Sequence, residues 1–221
     1  MAFEIAKQKK CEVTGISLSK NQIEYCKRKA KELNLDNQVK FELIDYREAK
    51  GKYDRIFSVG MFEHVGKKFY NKFFKSMNKL LKDDGIFLLH TIGVVDKPTP
   101  PNKFINKYIF PGGTCPSFSQ IITPIEKTGL IVCDAETLIR HYDKTLESWL
   151  ERFLNKKNEV KDLFDEKFVK MWEFYMASCA AAFRYRDLVV FQLQIVKKFQ
   201  SAHRTRDYIY CLLYTSPSPR D

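Results

Sequence analysis

The chain has 221 residues, 44% of them hydrophobic, and carries 38 Lys and Arg against 27 Asp and Glu, for a formal net charge of +11. That is enough apolar material for one sizeable core and too much for a disordered tail. No run of about 18 apolar residues and no leader pattern occurs, so neither a membrane-spanning helix nor an export signal is expected.

The basic excess fits an anionic membrane surface better than nucleic acid. The lysines fall in short clusters, such as Lys7-Gln8-Lys9-Lys10 and Lys27-Arg28-Lys29, with no nucleic-acid-binding module around them. The six cysteines (Cys11, Cys26, Cys115, Cys133, Cys179 and Cys211) form no CxxC pair and no Cys/His set with zinc spacing. Free thiols are expected, with no metal site and no disulfide scaffold.

Residues 1–10 read as the end of a helix, and 11–16 as a strand turning Val13 and Ile16 inward. Ser19 followed by Gln22 has the form of a capping box. Behind it Ile23, Cys26, Ala30 and Leu33 recur at helical spacing. Val39, Phe41 and Leu43 alternate with polar residues as a strand, and Asp45-Tyr46-Arg47 follows. Residues 53–59 are a buried strand. In 67–82, Phe69, Phe73, Met77 and Leu80 with Tyr70, Phe74 and Leu81 give a helical stripe, which Asp83-Asp84-Gly85 ends. Residues 86–91 are another strand.

This β-α-β-β-α-β order predicts an α/β fold with a mostly parallel sheet and helices on both faces. Residues 93–120 break the pattern. They hold Pro98, Pro100, Pro101, Pro111, Gly112, Gly113 and Pro116, yet also Phe104, Ile105, Tyr108, Ile109 and Phe110. That mixture reads as a lid or substrate-contacting insertion. A strand at 130–136, helices at 143–155 and about 165–182, and a strand at 188–196 that closes the sheet complete the domain.

The sequence 58–66, SVGMFEHVG, sits where the central strand ends, the edge at which open α/β sheets bind ligands. Glu63 beside His64 there reads either as an acid/base or anion-handling pair, or as a helix cap next to a surface histidine. Residues 211–221, CLLYTSPSPRD, match a translated transposon-type sequencing adapter and are set aside. The expected organisation is a partial domain over 1–199 and a tail over 200–221.

Five segments stand in order: VTGISLSKNQ (13–22), YDRIFSVGMFEHVG (53–66), GIFLLHTIG (85–93), INKYIFPGG (105–113) and CAAAFRYRD (179–187). With them the chain resembles the cyclopropane-fatty-acyl-phospholipid and mycolic acid cyclopropane synthases, which are S-adenosylmethionine-dependent methyltransferases. The resemblance implies a Rossmann-like class I methyltransferase fold lacking its first strand. It places Ser17, Leu18, Ser19, Lys20, Asn21 and Gln22 beside the ribose and methionine part of S-adenosylmethionine, and Asp45, Tyr46 and Arg47 beside its adenine. Glu63, His90, Ile92 and Tyr142 fall on positions that hold a bicarbonate ion, and Cys179 on a cysteine assigned to the active site.

The resemblance also implies the chemistry. A methylene group passes from S-adenosylmethionine to the cis double bond of an unsaturated phospholipid acyl chain, through a carbocation that bound bicarbonate deprotonates. Rings such as Phe62, Tyr108 and Tyr142 would face the positive charge. Cys179, in an Ala-rich helix, reads as an inert packing thiol, not a nucleophile. His90 at a strand end and Tyr142 have structural readings as well. The expected setting is cytoplasmic and peripheral to an anionic membrane, with no nucleic acid and a homodimer left open.

The glycine-rich turn after the family's first strand would lie before Met1. An N-terminally truncated member, binding the cosubstrate poorly and inactive as given, is therefore expected. Two other readings stand beside this one: methylation of a small-molecule amine on the same scaffold, and a non-catalytic lipid-binding remnant. The set Glu63, His90 and Tyr142 speaks against the amine, whose methylation needs no such base.

Overall fold

The computed structural model describes residues 1–97 and 102–210. Pro98, Pro100 and Pro101 of the expected insertion, and the adapter-like tail from 211, lie outside the described residues. The chain forms two compact units that meet in sequence at Lys52 and Tyr53.

The first unit contains α1 (Ala2–Lys9), β1 (Val13–Ile16), α2 (Lys20–Glu32) and β2 (Val39–Glu42). β1 and β2 pair in parallel, Val13 opposite Val39 through Ile16 opposite Glu42. Ala6, Leu35 and Val39 are buried beneath Phe3, Val13 and Phe41, with the Phe3 and Phe41 rings edge-on at 5.6 Å. Gly15 is needed there, since a Cβ would stand 2.7 Å from the Phe41 ring.

Only half of the expected capping box forms at α2. Ser19 Oγ accepts from the Gln22 amide at 3.3 Å. The Gln22 side chain does not return to the Ser19 amide, because its Oε1 accepts from Ser17 Oγ at 2.9 Å. The Ser19 amide donates to Ser17 Oγ at 3.1 Å instead.

The second unit is built on β3 (Tyr53–Val59), β4 (Leu81–Val94), β5 (Ile131–Ile139) and β6 (Leu188–Val196), in the spatial order β3-β4-β6-β5. β3 and β4 are parallel, whereas β6 runs antiparallel to both β4 and β5. The last strand therefore lies inside this sheet and β5 takes the edge, where 188–196 had been expected. Composition explains the exchange. β6 is apolar apart from Gln192 and Gln194 and largely buried, while β5 alternates half-buried with exposed residues.

α3 (Tyr70–Leu80) buries Tyr70, Phe73, Phe74, Met77 and Leu80 as its stripe requires. It starts three residues later than the stripe suggests, because Lys67–Phe69 is a 3₁₀ turn that leaves Phe69 half exposed. β4 begins directly after α3, so Asp83, Asp84 and Gly85 are already strand. The 93–120 stretch contains α4 (Lys103–Tyr108) and leads into α5 (Phe118–Glu126). α5 opens with a complete capping box between Ser117 and Gln120 and encloses Pro124.

α6 (His141–Asn155), α7 (Lys157–Leu163) and α8 (Glu166–Tyr185) follow β5, and α9 (Asp207–Tyr210) follows β6. Leu146 of α6 and Ala180 and Phe183 of α8 pack on Val190 of β6, with Ile92 and Leu138 alongside. Arg184 locks the two helices together by forking onto the buried Asp143, at 2.8 and 3.3 Å, and reaching Glu147. On β4, Phe87, Leu89 and Thr91 are fully buried, while Leu88, His90 and Ile92 are half-buried. Alternation puts the first three on one face and the last three on the other.

Candidate active site

β3 ends at Val59, and Gly60 turns the chain with φ 66° while its amide donates to the His90 carbonyl at 3.1 Å. A 3₁₀ turn, Phe62–His64, follows. It drives Phe62 into the core, stacked on Tyr70 at 4.3 Å and against Phe73 at 5.1 Å. Phe62 is fully buried. It is a packing residue and does not serve as a ring facing positive charge.

The same turn sends Glu63 the other way, onto β4. Glu63 Oε1 accepts from the Ile92 amide at 2.7 Å. Its backbone carbonyl accepts from Thr114 N at 2.9 Å. Its second oxygen, Oε2, is buried with no partner among the described residues. Glu63 therefore caps no helix: α3 begins seven residues later, at Tyr70. His64 is exposed and edge-on to Phe110 at 6.0 Å, so the side-by-side pair expected from 58–66 separates.

Around Glu63 stand Tyr142, Tyr70 and Cys115, from three other segments, with Cys179 and Tyr175 of α8 beyond them. Tyr142, the second residue of α6, lies against Phe183 at 5.1 Å and Trp149 at 6.0 Å. Burial pushes its phenol up, with the Glu63 carboxylate adding to the effect. Burial likewise pushes the Cys179 thiol on α8 up to about 11. The protein thus keeps Cys179 protonated and packed on the α6–α8 cluster, as a thiol in apolar surroundings should be.

Three neighbours escaped the sequence reading. Tyr70 approaches Thr114, Oη to Oγ1, at 3.4 Å, and burial raises its phenol. Tyr175 is raised to about 12 by burial, with Cys179 and Tyr142 adding. Cys115, an exposed residue whose sulfur is crowded by its neighbours, is raised to about 12 by burial and then by Glu63. The only sequence signal was Cys115 lying within the Pro/Gly-rich stretch; nothing local linked it to Glu63.

His90 is half-buried on β4, its Nδ1 3.1 Å from Gln192 Oε1. Ser17, Leu18, Ser19, Lys20, Asn21 and Gln22 form the turn from β1 into the start of α2 in the first unit, with Leu18 exposed. Asp45 and Arg47 follow β2 and form a fork, Nε to Oδ1 and Nη2 to Oδ2, both 2.7 Å. Burial raises the phenol of Tyr46 between them. No group of His, Cys, Asp and Glu among the described residues is placed to hold a metal ion.

A family model described as mycolic acid cyclopropane synthetase matches residues 1–193. The chain belongs to that family. Among the mycolic acid cyclopropane synthetase relatives, the cyclopropane-fatty-acyl-phospholipid synthase of Escherichia coli K12 is 39% identical over 193 residues, which are 87% of this chain and 49% of that protein. The chain thus spans about half the length of that relative.

Among solved structures, the cyclopropane synthase MmaA2 from Mycobacterium tuberculosis is similar with a TM-score of 0.82 and 29% identity, covering 87% of this chain and 72% of the other. The mycolic acid cyclopropane synthase CmaA1, complexed with SAH and CTAB, is similar with a TM-score of 0.81, the same identity and the same coverage. The family's class I methyltransferase fold is the fold of this chain.

Within this family fold, the unpaired Oε2 tests whether an added anion suits the site. A buried carboxylate oxygen is costly to leave without a donor. An O–H group, such as the hydroxyl of bicarbonate, meets that need. Tyr142, a neutral phenol that feels the Glu63 carboxylate, adds an O–H donor without adding charge.

Proposed function

We propose that this chain carries the chemistry of a methylene transfer from S-adenosylmethionine to the cis double bond of an unsaturated phospholipid acyl chain, with bicarbonate held at Glu63 as the base. The observation that carries the reading is Glu63 itself, with Oε1 fixed on the Ile92 amide and Oε2 buried and unpaired. When bound, the cosubstrate supplies an electrophilic methyl group, and the anion a proton acceptor that needs no charged side chain against lipid.

The residues of the chain then divide the work. Glu63 orients, because one oxygen is spent on the backbone and the other accepts an O–H. Tyr142 offers its hydroxyl and, with Phe183 and Trp149, an apolar wall that excludes water. Cys179 fills space. In the first unit, Ser17, Ser19 and Gln22 order the turn before α2, and Arg47 holds Asp45, the two segments assigned to the cosubstrate.

The reading includes a lipid surface. α4 carries Lys103 and Lys107 with Phe104 and Tyr108, and Phe104 meets Phe174 of α8 edge-on at 4.9 Å. Tyr108 and Phe110 remain exposed. Aromatic and basic residues sharing a short helix suit the interface of an anionic bilayer, peripherally bound. No helix among the described residues is long and apolar enough to cross a membrane.

The test is a graft of residues 1–193 in place of the matching span of the Escherichia coli relative. It is assayed with labelled S-adenosylmethionine and vesicles of a cis-unsaturated anionic phospholipid. The expected product is an acyl chain heavier by one CH₂ at the former double bond, lost in the Glu63→Gln graft. A folded graft that binds the cosubstrate and leaves the acyl chains unchanged overturns the reading.

A further inference from the structure

β6 is apolar except at two positions, Gln192 and Gln194, and an amide on an interior strand is costly unless paired. Gln192 is paired twice. The strand register sets it opposite His90 on β4 and opposite Glu136 on β5, so three polar side chains stand in one row across three strands. All three are half-buried. Gln192 Nε2 donates to Glu136 Oε2 at 3.2 Å, and Gln192 Oε1 lies 3.1 Å from His90 Nδ1.

Chemistry fixes the direction of this row. A carboxylate only accepts, so Gln192 turns its NH₂ to Glu136 and its carbonyl to the imidazole. A carbonyl also only accepts, so His90 Nδ1 carries the proton of that contact. In the neutral ring the lone pair is then on Nε2. His90 stands two residues before Ile92, on the same face of β4, and the Ile92 amide is the one Glu63 holds.

We propose that Glu136 and Gln192 are positioning residues that hold His90 as its Nδ1–H tautomer, leaving Nε2 as an acceptor for an O–H group bound beside Glu63. The role of that acceptor rests on the function proposed above. The tautomer itself follows from the row alone. Sequence offered no hint, since Glu136, Gln192 and His90 are far apart in the chain and only the β4-β6-β5 order aligns them.

The experiment is long-range ¹H–¹⁵N correlation of the imidazoles in the 221-residue protein, at a pH where the ring is neutral. The sequence has four histidines, and the signals of His90 are identified by their loss in His90→Gln. The expected pattern for the native chain is Nδ1–H. Gln192→Leu removes the acceptor, and the pattern moves to Nε2–H or to a mixture. Glu136→Gln keeps shape but lets the Gln192 amide turn either way, so it also gives a mixture, and it carries the test if Gln192→Leu does not fold.

A native Nε2–H pattern overturns the inference. So does an Nδ1–H pattern that survives Glu136→Gln in a folded chain. In the active graft, Gln192→Leu is expected to lower kcat roughly tenfold with KM for S-adenosylmethionine unchanged. An inactive graft removes the functional reading and leaves the tautomer result standing; an active graft with the Nε2–H pattern removes this inference alone.

Discussion

Glu63 holds the Ile92 amide through Oε1 at 2.7 Å and keeps Oε2 buried without a partner. The two oxygens thus differ: one ties the loop after β3 to β4, and the other, in the proposed function, accepts from a donor outside the chain. Glu63→Gln preserves the first and spoils the second, because an amide NH₂ replaces the acceptor or forces the side chain to turn. Thermal unfolding is expected to shift by no more than a few degrees. Product formation in the graft is expected to fall roughly 10²-fold or more.

A close approach lies on the same strand. A Cβ at Gly93 would stand 2.4 Å from the Phe191 ring and 2.5 Å from the Pro116 carbonyl oxygen. The ring has some freedom; the backbone oxygen has little, since the neighbouring Val94 amide donates to it at 3.0 Å. Gly93→Ala is expected to destabilise the chain by about 1–3 kcal/mol. The check is chemical denaturation, read as a lower midpoint with an unchanged slope.

Asp143 and Arg184 give a pH dependence. Hydrogen bonds from Arg184 hold the Asp143 carboxyl below the usual carboxylate range. A carboxyl whose folded value is depressed contributes stability that is fully present above its unfolded value of about 3.9. That stability is lost as the pH falls through the folded value. Asp143→Asn is therefore expected to unfold at a lower temperature than the native chain at pH 7, with the difference closing in acid. A gap that stays constant into acid would show that the ion pair is not its source.

Elements with strong patterning were legible because neighbours in sequence decide them: β6 at 188–196, and the body of α3, though not its ends, from its stripe of Phe73, Phe74 and Met77. What could not be read was which strand lies beside which. β6 enters between β4 and β5 because its apolar residues need cover on both faces, and that is settled by tertiary packing. The site divides in the same way. Glu63, His90 and Tyr142 were singled out through the family resemblance, the first two within the segments 53–66 and 85–93. Tyr70 and Cys115 were not, because only the folded chain brings them to Glu63, and Tyr175 was not, because only the fold sets it beside Cys179 and Tyr142.

The thiols offer a direct test of that convergence. Cys11 and Cys115 are both exposed, but Cys115 is held near 12 by burial and by Glu63, and Cys179 near 11 by burial. Only the thiolate is alkylated readily. With limiting iodoacetamide at neutral pH, mass spectrometry is expected to find Cys11 labelled well before Cys115 or Cys179, and all three labelled alike after unfolding. Early labelling of Cys179 in the folded chain would return it to consideration as a nucleophile.

The lipid surface is testable apart from the chemistry. Lys107 lies over the Tyr108 ring at 5.0 Å, so this lysine and its aromatic neighbour present themselves together. Basic residues near an anionic bilayer contribute about 1 kcal/mol each. Reversing Lys103 and Lys107 to Glu is thus expected to weaken co-sedimentation with anionic vesicles by on the order of tenfold or more. Neutral vesicles should show little change, and added salt should shrink the difference through screening. Phe104→Ala would act otherwise: it removes apolar contact, including that with Phe174, so its loss of binding should persist at high salt. Equal sensitivity of both variants to salt would mean that α4 meets the bilayer by charge alone.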